Sequence, residues 1–197
     1  MRAERRQRRL DAEAAARRRR RWRRLALPVV VGAGALGAVA LLALAAGFGQ
    51  PEIGRPVGLQ GPAARHLEPG EPLPQQSQPP SSGPHYASRA AYGVSTVPID
   101  PGNWIHVLEH GGIVVLYRCE APDACSEVAR QLDEQVYAPA RNGRFGERKL
   151  TITPYQEMTV PIMAISWGRV LEQDAIDPAR LLAFYDRFLD RGPENAR

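Results

Sequence analysis

An uncharged apolar segment early in the chain places the strongest limit on how this sequence can fold. Residues 25–48, LALPVVVGAGALGAVALLALAAGF, contain no charged side chain and consist mainly of Leu, Val, Ala and Gly. A helix of this length would extend about 36 Å at about 1.5 Å per residue, enough to cross a hydrocarbon core of about 30 Å with some tilt. The segment therefore predicts a single membrane-spanning helix.

The charges on either side predict its orientation. Residues 1–24 contain 12 Arg and three acidic residues, whereas the rest of the chain contains 14 basic and 18 acidic residues. Because cytoplasmic flanks carry the positive excess, we expect a cytoplasmic N-terminal tail and an extracytoplasmic C-terminal domain in a single-pass protein of the cell membrane. The Arg run is then a topology determinant rather than a surface for anionic lipid or nucleic acid. The acidic exported part argues against nucleic acid as a partner of the folded domain, and the sequence identifies no protein partner.

A cleaved signal peptide is the alternative to a retained anchor. Ala43, Leu44 and Ala45 form an A-x-A pattern that would allow cleavage after Ala45. The apolar region of a signal peptide normally has only about 7 to 15 residues. The length of residues 25–48 therefore favours a retained anchor, and the question of cleavage stays open.

Residues 49–84 form a Pro-rich linker between the membrane segment and the domain. They contain nine of the chain's 18 Pro, mixed with Gly, Gln and Ser. Pro fixes φ and removes a backbone donor, so this stretch is predicted to be extended or looped. It also contains His66, and His85 follows it, so we expect the part from about Val57 to pack onto the domain as an irregular wrap.

The remaining residues, 85–193, predict a small α+β domain with one mixed sheet and helices on one face. The last helix has clear boundaries, with Asp177 as N-cap, Pro178 at the first position, and Gly192 and Pro193 closing it. Pro161 indicates that the third strand begins at a sheet edge. In chain order the predicted β-α-β-β-α elements are strand 112–119, helix 124–137, strands 150–153 and 160–167, and the helix after Asp177.

All four histidines of the chain, His66, His85, His106 and His110, lie in the predicted exported part. Two of them form an H-x-x-E-H sequence around Glu109. If Asp100 caps a short helix that ends before Gly111, His106 and His110 lie one turn apart on one face and can share a metal ion. If the segment is extended, they stand about 13 Å apart at about 3.3 Å per residue.

This histidine pattern has three interpretations. The first is a zinc or copper site formed by His106, His110, His85, His66 and Glu109. The second is structural, with imidazoles donating to backbone carbonyls. The third is an inverted zinc-protease signature with Glu109 as general base and Glu172 as the nearest further ligand; it is disfavoured because Gly111 and Gly112 interrupt the long helix it requires. Met158 and Met163 are potential copper ligands, although the apolar IMAIS run around Met163 favours a core position.

Cys119 and Cys125 are both predicted to be exported. An oxidising compartment favours a disulfide between them. A thiolate metal site is the alternative, but this spacing differs from the C-x2-C of zinc knuckles.

Three segments carry a family resemblance: QPPSSGPHY at 78–86, GNWIHVLEHGGIVVLY at 102–117, and AISWGR at 164–169 with RGPE at 191–194. Together they resemble the bacterial membrane-anchored family of unknown function DUF3105, over about residues 55–195. The resemblance implies an exported domain behind one N-terminal helix, and it implies no reaction.

The sequence thus favours a membrane-anchored extracytoplasmic domain that binds zinc or copper through its histidines, and it favours binding over catalysis. The alternatives are a non-catalytic interaction domain of the cell envelope without a cofactor and, less favoured, a metal-dependent hydrolase.

Overall fold

The computed structural model of the chain describes residues 17–19, 52–62, 65–68, 70–74 and 79–194. The predicted membrane segment 25–48 and the A-x-A pattern lie outside these residues. Among the helices of the described part, none is both long and apolar enough to cross a membrane. All the elements named below belong to the unit Glu52–Arg197.

Six strands form one mixed sheet and two short strands form a separate pair. The sheet order is β1-β8-β7-β5-β6-β4, in which β5 runs parallel to β6 and antiparallel to β7. The pair consists of β2 and β3, which run parallel to each other. The strands are β1 Arg55–Pro56, β2 His66–Leu67, β3 His85–Tyr86, β4 Gly93–Val94, β5 Ile113–Tyr117, β6 Leu150–Pro154, β7 Ile162–Ser166 and β8 Arg169–Gln173.

Three α-helices and one π-helical segment complete the described part of the unit Glu52–Arg197. They are α1 Pro101–Glu109, α2 Pro122–Leu132, the π-helical segment Asp133–Tyr137, which continues α2, and α3 Pro178–Phe188. The α+β class and the mixed sheet are therefore confirmed.

The helices cover both faces of the sheet, so the expectation that they lie on one face is wrong. Side chains alternate along β5: Ile113, Val115 and Tyr117 join the core under α2 and α3, whereas Val114 and Leu116 join the core under α1. All five residues are buried. A continuous apolar run indicates that both faces of a strand are buried, but it does not tell whether a helix or another segment covers each face.

The predicted order β-α-β-β-α omits α1, β8 and the four two-residue strands β1, β2, β3 and β4. β8 pairs with β7 across the Trp167–Gly168 turn, and its five residues, RVLEQ, do not alternate between polar and apolar side chains, so they give a weak strand signal. β7 lies between β5 and β8, so the expectation of an edge strand is also wrong: Pro161 immediately precedes the strand, where its missing N–H costs no sheet hydrogen bond.

The ends of α3 differ in how well they were predicted. Asp177 accepts a hydrogen bond from the Arg180 amide and Pro178 occupies the first turn, as expected. The helix ends at Phe188, before Gly192, and Asp190 takes a left-handed conformation with φ 60°. Asp is one of the few residues other than Gly that adopt this conformation.

The Pro-rich segment packs onto the domain already from β1, whose Arg55 and Pro56 pair with β8, so the packed part begins before Val57 and includes short strands. The Val57 amide donates to Gly168 O at 2.9 Å, and Gly168 N donates to Ser81 O at 3.1 Å. Residues 79–85 are all buried, and the Trp104 indole N–H donates to Pro80 O at 3.2 Å. The wrap is therefore part of the folded domain.

Candidate metal centre

α1 positions the H-x-x-E-H residues. Asp100 caps the helix by accepting a hydrogen bond from the Gly102 amide, and Pro101 occupies its first turn. Gly111, with φ 75°, follows the helix in the left-handed conformation, which Gly adopts at little cost. The helical interpretation of this segment is therefore correct, and the extended alternative is wrong.

His106 and His110 are neighbours on one face of this helix. The Nε2 atoms of the two rings lie 3.1 Å apart, and the ring centroids are 4.5 Å apart. A spacing of four residues brings side chains together on a helix because it approximates one turn.

The β2–β3 pair brings the two histidines of the wrap to the helix. In its parallel register His66 stands opposite His85. The ring centroids of His66, His85 and His106 are mutually 5.0 Å apart. A pair of two-residue strands thus places three imidazoles from distant parts of the sequence in one triangle.

Glu109 supplies a carboxylate to this triangle. Its side chain is fully buried, and its Oε2 lies 3.0 Å from His85 Nε2 and 4.0 Å from His66 Nε2. One ligand atom from each of His66, His85, His106 and Glu109 lies within 4.8 Å of all the others. We call these four residues the primary group; it is a His/Glu cluster that could hold a metal ion.

Backbone carbonyls fix the tautomers of two of these rings. His85 Nδ1 lies 2.9 Å from Gly83 O, and His106 Nδ1 lies 2.9 Å from Tyr86 O. A carbonyl oxygen only accepts, so Nδ1 carries the proton in each neutral ring and Nε2 keeps its lone pair. Histidines that bind metals are commonly oriented by such a hydrogen bond from the other ring nitrogen.

The surroundings of His106 favour its neutral form. Burial is the main cause that lowers the pKa of His106 below its ordinary value of 6.5, and the nearby His110 and His85 act in the same direction. The hydrogen bond to Tyr86 O and the charge of Glu109 oppose this shift. A neutral imidazole is the form that binds a metal.

Solvent reaches the primary group on one side. The side chain of His66 is 47% exposed, whereas those of His85 and Glu109 are fully buried. Trp167 packs edge-on against His85, with ring centroids 6.5 Å apart. The group is therefore closed by the domain on its inner side and accessible at His66.

His110 lies beside the primary group and belongs to a second one. Ligand atoms of Glu109, His110 and Glu194 lie within 4.8 Å of one another, and His110 Nε2 is 3.2 Å from Glu194 Oε2. The sequence reasoning missed Glu194, although its RGPE segment was among those that carry the family resemblance. Glu172, the suggested further ligand, instead pairs with Arg55 at 2.7 Å.

The other candidate ligands belong to neither group. Cys119 and Cys125 lie at disulfide distance, with Cα atoms 5.2 Å apart; Cys119 lies two residues after β5, and Cys125 lies in α2. Met158 and Met163 are buried in the core under α1.

Searches against curated proteins and against solved structures find no match. The family model described as "Protein of unknown function (DUF3105)" matches residues 66–197, a range that contains both groups. The chain belongs to this family.

Proposed function

We propose that the domain binds a transition-metal ion, with His66, His85, His106 and Glu109 as its ligands. The observation that carries this proposal is the convergence of four donor atoms within 4.8 Å. They come from three separate segments of the chain. Such a cluster forms only when the wrap packs against α1 in one defined position.

Zinc is the ion that the donor set favours. Three imidazole nitrogens and one carboxylate oxygen suit a tetrahedral zinc site, where bonds of about 2.0–2.1 Å place donors about 3.3 Å apart. The 3.0 Å between His85 Nε2 and Glu109 Oε2 agrees with that spacing, so only modest side-chain movement would be needed to complete the shell. Copper also accepts imidazole ligands and is the alternative that a metal analysis would distinguish.

The position of Glu109 supports a role as ligand rather than as general base. It lies among the imidazoles that would bind the ion, with its Oε2 3.0 Å from His85 Nε2. A site with four protein ligands is typical of structural metal centres. The hydrolase interpretation would require turnover that is lost in Glu109→Gln while the metal stays bound.

The proposal is tested on the full-length chain, expressed in an oxidising compartment and purified in detergent without chelator. Metal content per chain is measured by mass spectrometry for wild type, His85→Ala, His106→Ala and the control Glu172→Gln. We expect at least one zinc per wild-type and control chain and loss of metal in the histidine variants. Metal content that is substoichiometric in wild type and unchanged in the variants would contradict the proposal.

A non-catalytic interaction domain of the cell envelope is the second candidate function. It is favoured by the hydrogen bond from His106 to Tyr86 O, which ties α1 to β3 without a metal, and by the bond from His85 to Gly83 O, which fixes the ring of His85. In that case the same alanine variants would lower the melting temperature equally with and without added zinc.

We infer further that residues 25–48 anchor the protein, with the domain outside the cytoplasm. The length and apolarity of this segment and the Arg-rich flank before it support the inference. Alkaline phosphatase fused after Arg197 should be active in the envelope, whereas a cytoplasmic reporter at that site should not. The mature N-terminus, determined by mass spectrometry, distinguishes a retained anchor from cleavage after Ala45.

A further inference from the structure

We propose that the site holds two metal ions, and that Glu109, His110 and Glu194 bind the second one beside the primary group. This inference rests on the proposed function, because the second ion would share Glu109 with the first. Its basis is that Glu109 belongs to both clusters of ligand atoms. A carboxylate has two oxygens and can bridge two ions, and paired metal sites commonly have separations of about 3.5–4 Å.

The chain holds Glu194 in place at the end of α1. The Asp190 amide donates to Gly111 O at 2.8 Å, and the Glu194 amide donates to Glu109 O at 3.0 Å. This backbone hydrogen bond therefore holds Glu194 next to Glu109, the residue that would bridge the two ions. We call residues 190–194 the C-terminal strap.

Close packing makes this connection specific. A Cβ at Gly192 would lie 2.0 Å from Glu109 O and 2.3 Å from Gly111 N. Only a residue without a side chain allows the strap to approach the end of α1 so closely. The position of Glu194 therefore depends on the local fold as well as on its own contact with His110.

The histidines connect the two groups. His110 Nε2 lies 3.1 Å from His106 Nε2 in the primary group and 3.2 Å from Glu194 Oε2 in the second. The two groups thus adjoin along one face of α1. To bind an ion through Nε2, neutral His110 would carry its proton on Nδ1, which needs a change of tautomer and no change of charge.

The nearby charges are compatible with a second cation. Glu109 and Glu194 contribute two negative charges, and the four imidazoles are neutral when they bind metal. Lys149, the only Lys of the chain, is buried close by, with Nζ 3.0 Å from His110 O and 3.2 Å from Asp190 Oδ1. Its positive charge is thus paired with Asp190 of the strap.

The two positions differ in their coordination. The primary group offers four protein ligands, whereas the second offers three and leaves a position for water or an anionic oxygen ligand. Glu194 is also 45% exposed, so the second ion would be the one that solvent reaches from the strap side. A two-ion site of this kind would combine a closed position with an open one.

The test is the metal stoichiometry of the full-length chain, dialysed after loading with excess zinc and measured by mass spectrometry. We expect two zinc per chain for wild type and for the control Glu172→Gln, and one for Glu194→Gln and His110→Ala. X-ray absorption of the two-zinc wild type should show metal–metal scattering at about 3.5–4 Å, a readout that does not depend on whether the variants fold.

The outcomes separate the two proposals. One zinc in wild type, or two zinc that Glu194→Gln does not reduce, would overturn the second site while leaving the first. Absence of metal–metal scattering in a two-zinc sample would also overturn the shared site. No bound zinc at all would remove the proposed function and the second site together.

Discussion

Replacing Glu109 with Gln separates ligand loss from loss of packing. The side chain is fully buried, and Gln has nearly the same shape, so the core should keep its volume. The amide oxygen is a weaker ligand than the carboxylate because it carries no net charge. We therefore expect the substitution mainly to reduce the stabilisation of the folded state by bound metal.

The magnitude follows from linkage between binding and folding. At a free zinc concentration of about 100 times the wild-type Kd, the metal stabilises wild type by about 2.7 kcal/mol. Loss of a group that only orients a metal ligand weakens binding by up to about 100-fold. If Glu109→Gln weakens zinc binding by that factor, zinc stabilises the folded variant by only about 0.4 kcal/mol. At about 2–4 °C per kcal/mol for a chain of this size, the zinc-induced rise in melting temperature should be about 5–9 °C smaller in Glu109→Gln.

The assay is thermal unfolding followed by circular dichroism, with chelator and at fixed free zinc. Glu172→Gln, whose parent carboxylate pairs with Arg55, is the matched control and should show the wild-type rise. If Glu109→Gln shows the same zinc-induced rise as wild type, the carboxylate is not a ligand and the reasoning is refuted.

Three further predictions concern pH, the cysteines and a helix cap. Burial lowers the pKa of His106 below 6.5 in the folded state, so the unfolded chain binds more protons than the folded one. The contribution of His106 to stability is therefore intact above about pH 6.5 and declines as pH falls towards the folded pKa. Zinc affinity, measured by calorimetry from pH 7.5 to 5, should fall in the same direction, and a constant affinity would argue against imidazole ligands. Replacing Cys119 and Cys125 with Ser should cost about 2 kcal/mol of stability by loop entropy and leave zinc stoichiometry unchanged, and loss of zinc would connect the cysteines to the site. Asp177→Ala should cost about 1 kcal/mol in chemical denaturation by removing the cap of α3, whereas a neutral result would mean that the Arg180 amide finds another acceptor.

Local signals were sufficient for the helix that carries the site. Asp100, Pro101 and Gly111 mark the ends of α1 in the sequence, and the four-residue spacing then places His106 and His110 together. Each of these inferences depends on residues close to one another in the chain. The same kind of reasoning correctly placed the N-cap of α3.

Local sequence patterns did not predict contacts between residues that are distant in the chain. Glu194 reaches His110 only because the strap packs against Gly111, and nothing near either residue in the sequence specifies that packing. The second helical face of the sheet was missed for a related reason, since an apolar run such as β5 indicates burial on both faces but does not identify the segments that cover them. Pairing partners and layer order depend on the whole chain.

The Pro-rich wrap shows how an irregular segment can hold candidate ligand side chains in defined positions. His85 ends a stretch of buried residues, 79–85, that contains three Pro, and its ring is oriented by Gly83 O within the same stretch. Pro restricts the unfolded chain, so less backbone entropy is lost when such a segment is fixed. The indole of Trp104 on α1 holds this stretch through Pro80 O, two residues before His106 in the helix. This contact joins the wrap to the helix that carries His106, which is why we regard the linker as part of the candidate metal centre rather than as a spacer before it.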